Sequence, residues 1–83
     1  MAVLRLLGSQ SNLTSASNVG LAKLVRVYNS GGSDLVLTQK NAGGTTLATV
    51  TVKTKEVEYI AKASTDTLEG GAALLVVSIA FAN

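Results

Sequence analysis

Apolar and polar residues alternate along most of the chain, the period-two pattern of strands with one buried and one solvated face. Ala48, Val50 and Val52 interleave with Thr49, Thr51 and Lys53, which predicts a strand over Thr46–Lys53 whose outer face is rich in hydroxyls. A strand over about Leu21–Asn29 sets Val25 and Val27 against Leu24, Arg26 and Tyr28, and one over about Glu56–Lys62 sets Val57, Tyr59 and Ala61 against Glu58, Ile60 and Lys62. Leu35–Lys40 turns through Asn41-Ala42-Gly43-Gly44 into Thr46, the clearest hairpin in the chain. Apolar segments near the two termini, Ala2–Leu7 and Leu74–Ala82, bring the expectation to about six strands. The last of them is apolar on both faces, Leu75, Val77, Ile79 and Phe81 opposing Leu74, Val76, Ala80 and Ala82, so it needs cover on both sides.

Glycine doublets at Gly31-Gly32, Gly43-Gly44 and Gly70-Gly71 punctuate these segments, and the chain has no proline. Residues 9–18 are polar apart from Leu13 and predict a loop or extended arm. A helix over Leu13–Leu24 is opposed by Gly20, Asn18 and several serines. Ser64-Thr65-Asp66-Thr67 predicts a turn, because short polar side chains bond nearby backbone amides. Residues 1–83 therefore predict a single all-β domain, a small antiparallel β-sandwich or barrel. Its expected core is Val25, Val27, Leu35, Leu37, Val50, Val52, Val57, Val77 and Ile79.

Composition bears on function more than on fold. With 83 residues, no Cys and no His, the chain cannot use disulfides and lacks the commonest metal ligand, so subunit contacts are the expected support for so small a core. The same absences remove the usual proton shuttle and the strongest ready nucleophile, and no enzymatic activity is expected. Glu56 and Glu58 share a strand face but read as a solvated face, and Lys62 with Asp66 reads as an ion pair fixing the turn between them. No catalytic, cofactor-binding or metal-ligating set is expected. Seven basic and five acidic residues give +2, yet Lys53 and Lys55 are followed by Glu56 and Glu58, so no basic block forms. Only Tyr28, Tyr59 and Phe81 are aromatic, too few for stacking platforms, which leaves a small OB-like nucleic-acid-binding module as an alternative and nucleic acid as an unfavoured partner. The longest apolar run, Ala72–Ala82, is about half of the ~20 residues that span a bilayer as a helix, and use without export is expected.

The order of segments carries a resemblance. A short apolar N-terminal strand, a Ser/Asn/Thr loop, Val25-Arg26-Val27-Tyr28-Asn29 before a glycine turn, Glu58-Tyr59-Ile60-Ala61-Lys62, then Ser64-Thr65-Asp66-Thr67-Leu68 and a closing apolar strand are similar to small virion structural proteins of tailed bacteriophages, especially marine ones. The resemblance implies a β-domain located in the virion, acting as a capsid decoration or cement subunit, or in the neck, tail or a fibre, without catalytic residues. Implied partners are further copies of the chain, as a homo-oligomer, and other virion proteins such as the major capsid protein. If one face of each terminal strand completes the domain core, the other meets a neighbouring chain, so Leu4, Leu6, Leu74 and Val76 are the expected interface residues.

Overall fold

A computed structural model describes residues 3–81 as an antiparallel all-β fold of eight strands. In chain order they are β1 (Leu4–Leu6), β2 (Ser11–Leu13), β3 (Leu24–Asn29), β4 (Leu35–Lys40), β5 (Thr46–Val52), β6 (Val57–Ala61), β7 (Thr67–Glu69) and β8 (Gly71–Phe81). A five-stranded sheet has the order β1-β8-β3-β6, with β2 also paired to β8, and a three-stranded sheet has the order β5-β4-β7. The two sheets enclose one apolar cluster: Val25, Val27, Leu74 and Val76 come from the first sheet, Leu37, Val52 and Leu68 from the second. Ala2 and Ala82, the outer ends of the predicted terminal strands, lie outside the described residues.

Two strands exceed the expected six, and both arise where alternation has no room to show. Residues 9–18, expected as a loop or extended arm, contain β2 and a bridge from Ser17 to Leu68. Leu13 is 1% exposed in the core. A three-residue strand with a single large apolar side chain has no period to detect, so its formation depends on β8 being there to pair with. β7 is cut from β8 at Gly70-Gly71, where the chain crosses from the small sheet to the large one. A Cβ on Gly70 would stand 2.5 Å from Leu74 Cδ1 and 2.7 Å from the Val36 carbonyl oxygen, and Gly71 has φ of +130°. The close passage of backbones thus requires glycine at the crossing.

Of the expected core, Val25, Val27, Leu37, Val52, Val77 and Ile79 are buried, and Leu35 packs half-buried against the cluster. Val50 is 40% exposed. It faces the same side as Val52, but β5 is an edge strand, and only its Val52 end lies where the sheets are tied together. Val57 pairs with Tyr28, on the face away from the cluster, and is half-buried, whereas Ile60 packs against the core. The inward side of β6 is therefore the Glu58, Ile60 and Lys62 side, reversed from the side on which Val57 would be core.

The tie between the sheets is Asn29, fully buried at the end of β3. Its Nδ2 donates to the carbonyls of Ser33 and Val52, both at 2.9 Å, and its Oδ1 accepts from Gly31 N at 2.9 Å. Its backbone exchanges bonds with the β5–β6 turn, donating to Glu56 O at 3.1 Å and accepting from Lys55 N at 2.8 Å. Thr54 Oγ1 donates to Gly31 O, and Thr54 N donates to Asp34 Oδ1 at 3.0 Å. At this end both sheets are closed; β5 and β6 separate from here towards the opposite end, leaving a groove of about 270 Å³ lined by Ala48 and Val50 on one side and Tyr59 and Ile60 on the other.

Candidate contact surface

Leu74 and Val76, expected near subunit contacts, are 0% and 1% exposed within the cluster between the sheets. This corrects the phase assigned to the last strand. Leu74 and Val76 share the inner face with their register partners Asn29 and Val27. Val77 and Ile79 are buried on the opposite face, because β8 is a central strand whose neighbours put Arg26 beside Val77 and Leu6 beside Ile79. Both faces are thus covered within one chain, and neither Leu74 nor Val76 is available to a partner.

Leu4 and Leu6 stand differently. Their register partners are Phe81 and Ile79, so these four side chains share the outer face of the large sheet at the C-terminal end of β8. Leu4 is half-buried and Leu6 is 68% exposed. Val3, Leu7, Leu21 and Phe81 are also more than half exposed. A groove of about 570 Å³ runs through this end, lined by Leu7, Leu21, Leu24, Ile79 and Phe81 with Lys23 at its side. Single exposed apolar side chains are ordinary, but a contiguous group of this size marks a contact surface.

The turn that presents Leu21 is strained. Val19, Gly20 and Leu21 have φ of 55°, 65° and 61°, and the left-handed region is costly for a β-branched or bulky residue, on the order of 1–3 kcal/mol each. Hydrogen bonds hold the turn in place: Val19 N donates to Ser17 Oγ at 3.0 Å, Leu21 N to Asn18 Oδ1 at 3.2 Å, and Ala22 N to Asn18 O at 3.3 Å. Beneath it lies the Lys62 amine, which donates to Ala22 O at 2.6 Å and Asn18 O at 2.9 Å, with longer bonds of 3.4 Å to Ala63 O and Ser64 O. Lys62 is 8% exposed. Burial pushes its amine below its ordinary range, and the negative charge of Asp66 offsets part of that effect.

The expected Lys62–Asp66 ion pair is not formed as a direct contact. Lys62 spends its protons on backbone carbonyls, while Asp66 Oδ2 accepts from Gln39 Nε2 at 3.0 Å and Ala63 N at 3.3 Å. Both charges organise loops, and they interact through space. The ion pair found among the described residues is Lys40–Glu69, at 2.5 Å across β4 and β7.

Leu7, Leu21, Lys23 and Phe81 were not singled out by the sequence as contact residues. The available signal was Val19-Gly20-Leu21, an apolar-glycine-apolar triplet inside a polar stretch, which suits a turn that directs a large side chain outward. Among the described residues no group of three His, Cys, Asp or Glu is placed to hold a metal ion, and no helix is long and apolar enough to cross a membrane. Compared with protein-family models, with curated proteins and with solved structures, the chain has no significant match.

Proposed function

We propose that the protein is a non-enzymatic structural subunit of a virion, a capsid decoration or cement protein that acts by burying its apolar end against neighbouring subunits. The observation that carries this reading is the gathering of Leu7, Leu21, Leu24 and Phe81 around one open groove. A domain of 83 residues that leaves those side chains in water forgoes burial it can ill spare, and docking against a neighbour recovers it. The strain at Val19 and Leu21 points the same way, since left-handed φ at such residues persists only where the surrounding bonds enforce it. The class of particle comes from the resemblance of the Val25–Asn29, Glu58–Lys62 and Ser64–Leu68 segments to small tailed-phage virion proteins.

Gradient fractionation of particles from the native source, probed with an antibody to the chain, tests this. The protein is expected to co-sediment with intact virions after nuclease treatment and a salt wash. Recovery only among free soluble proteins overturns the reading.

A further inference from the structure

We infer that the main-chain carbonyls of Asn18, Ala22, Ala63 and Ser64 form a site for a monovalent cation of ammonium or potassium size, which this chain fills with its own Lys62 side chain. The site does not depend on the virion reading and is a property of the isolated chain.

The number of carbonyls points to an ion. The oxygens of Ala22, Asn18, Ala63 and Ser64 lie 2.6, 2.9, 3.4 and 3.4 Å from Lys62 Nζ. An ammonium has three N–H groups, so it cannot give each of four oxygens a short, well-directed bond, and two contacts stay long. More oxygens converge here than a lysine can satisfy, the arrangement in which carbonyl dipoles replace the hydration shell of a potassium ion.

The ring is built without help from the amine. Asn18 and Ala22 flank the Val19–Leu21 turn, while Ala63 and Ser64 follow the end of β6. Ala22 N donates to Asn18 O at 3.3 Å, Asp66 N to Ala63 O at 3.0 Å, and Lys62 N to Lys23 O at 2.9 Å, which ties the two segments side by side. These main-chain bonds keep the oxygens converging whatever lies between them.

The charges around the site also suit a cation. Asp66 acts on the amine through space, and its Oδ2 is held by Gln39 Nε2 and Ala63 N. No carboxylate joins the ring, so a divalent ion, which is usually held by carboxylate oxygens, is poorly matched. Without the amine, the carbonyls of Ala22 and Ser64 have no other donor among the described residues, and Asp66 loses its compensating charge. Ala22 is 5% exposed, and a buried carbonyl without a partner favours uptake of a cation from solution. By tethering the cation, the chain makes the strained turn independent of which salts surround it.

Thermal melting of purified Lys62→Ala in lithium, potassium and ammonium chloride at equal ionic strength tests the proposal. Truncation opens the ring to solvent ions, and an ion that binds only the folded state raises its stability. The Tm of Lys62→Ala is expected to be at least about 4 °C higher in potassium or ammonium than in lithium. Wild type, whose ring is filled, and Lys62→Met, whose thioether takes the space, are expected to show no such difference, which separates the site from general salt effects. In crystals of Lys62→Ala grown with rubidium, which stands in for potassium, anomalous scattering is expected to place an ion among the four carbonyls. If Lys62→Ala is unfolded in lithium, folding on transfer to potassium, read by circular dichroism, is the equivalent result. Equal Tm in the three salts, the same preference in wild type or Lys62→Met, or a Lys62→Ala chain unfolded in all three salts overturns the proposal. A ring without rubidium also overturns it.

Discussion

Two buried polar side chains do more to hold this fold in register than their number suggests. Asn29 satisfies two carbonyls and one amide where β3, β4 and β5 converge, so removing its amide leaves those groups buried without partners. Asn29→Ala is expected to cost about 2–3 kcal/mol in urea unfolding, and a loss below ~1 kcal/mol would mean that water reaches the Ser33 and Val52 carbonyls. Lys62 plays the same part for the strained turn. Its folded-state proton affinity lies below the 10.5 of a free lysine. Between those two values the unfolded chain binds more protons than the folded one, so the Lys62 contribution to stability rises with pH across that window. Lys62→Met removes both the carbonyl bonds and this dependence. The stability difference between wild type and Lys62→Met should therefore widen as pH rises from the lowered value towards 10.5, and a constant or shrinking difference would reverse the assigned direction.

At the scale of elements, the long strands were legible, and of the short ones only β1 was. β3, β4, β5, β6 and β8 run for five or more residues each, long enough for alternation, or in β8 a continuous apolar run, to mark them as strands. β2 and β7 have three residues each, and what makes them strands is the neighbour they meet, β8 for one and β4 for the other. Leu13 makes the distinction measurable. In a solvated arm Leu13→Ala would change stability by a few tenths of a kcal/mol, whereas in this core it should cost about 2–5 kcal/mol, read from chemical denaturation. A near-neutral result would detach β2 from the fold. β6 shows a second limit. Both of its faces carry apolar residues, Val57 and Tyr59 on one and Ile60 on the other, and the buried Lys62 on the Ile60 side runs against the hydropathy pattern. Only the carbonyls of the 18–22 turn, more than forty residues away in the case of Asn18, make that side the inner one.

For the whole molecule, the distribution of charge and apolar surface bears on what the protein contacts. Lys23 edges an apolar groove, and Glu56 and Glu58 lie on and beside the strand at the far edge of the large sheet. Neither group forms a basic track with aromatic side chains at regular intervals, the arrangement that holds single-stranded nucleic acid. Titration with single-stranded DNA at low salt is expected to show no micromolar binding. Micromolar binding that weakens steeply with salt would instead favour the nucleic-acid module, since phosphate contacts release counterions.

The class of fold and much of the inner face of the longer strands could be read from residue order alone, because alternation, glycine turns and the lack of proline act through neighbours only a few positions apart. Val25, Val27, Leu37 and Val52 could be placed in the core on that basis. Which of two apolar faces is covered, and by what, is a property of strands distant in the chain. Leu74 and Val76 look like surface beside Val77 and Ile79 until β3, β1 and the small sheet are in place, and then both faces of β8 are interior. Val50 looks like core until β5 proves to be an edge. The apolar end has the same origin: Leu7, Leu21 and Phe81 are widely separated in sequence, and they form one surface only because β8 returns beside β1 and Lys62 holds the Val19–Leu21 turn over it.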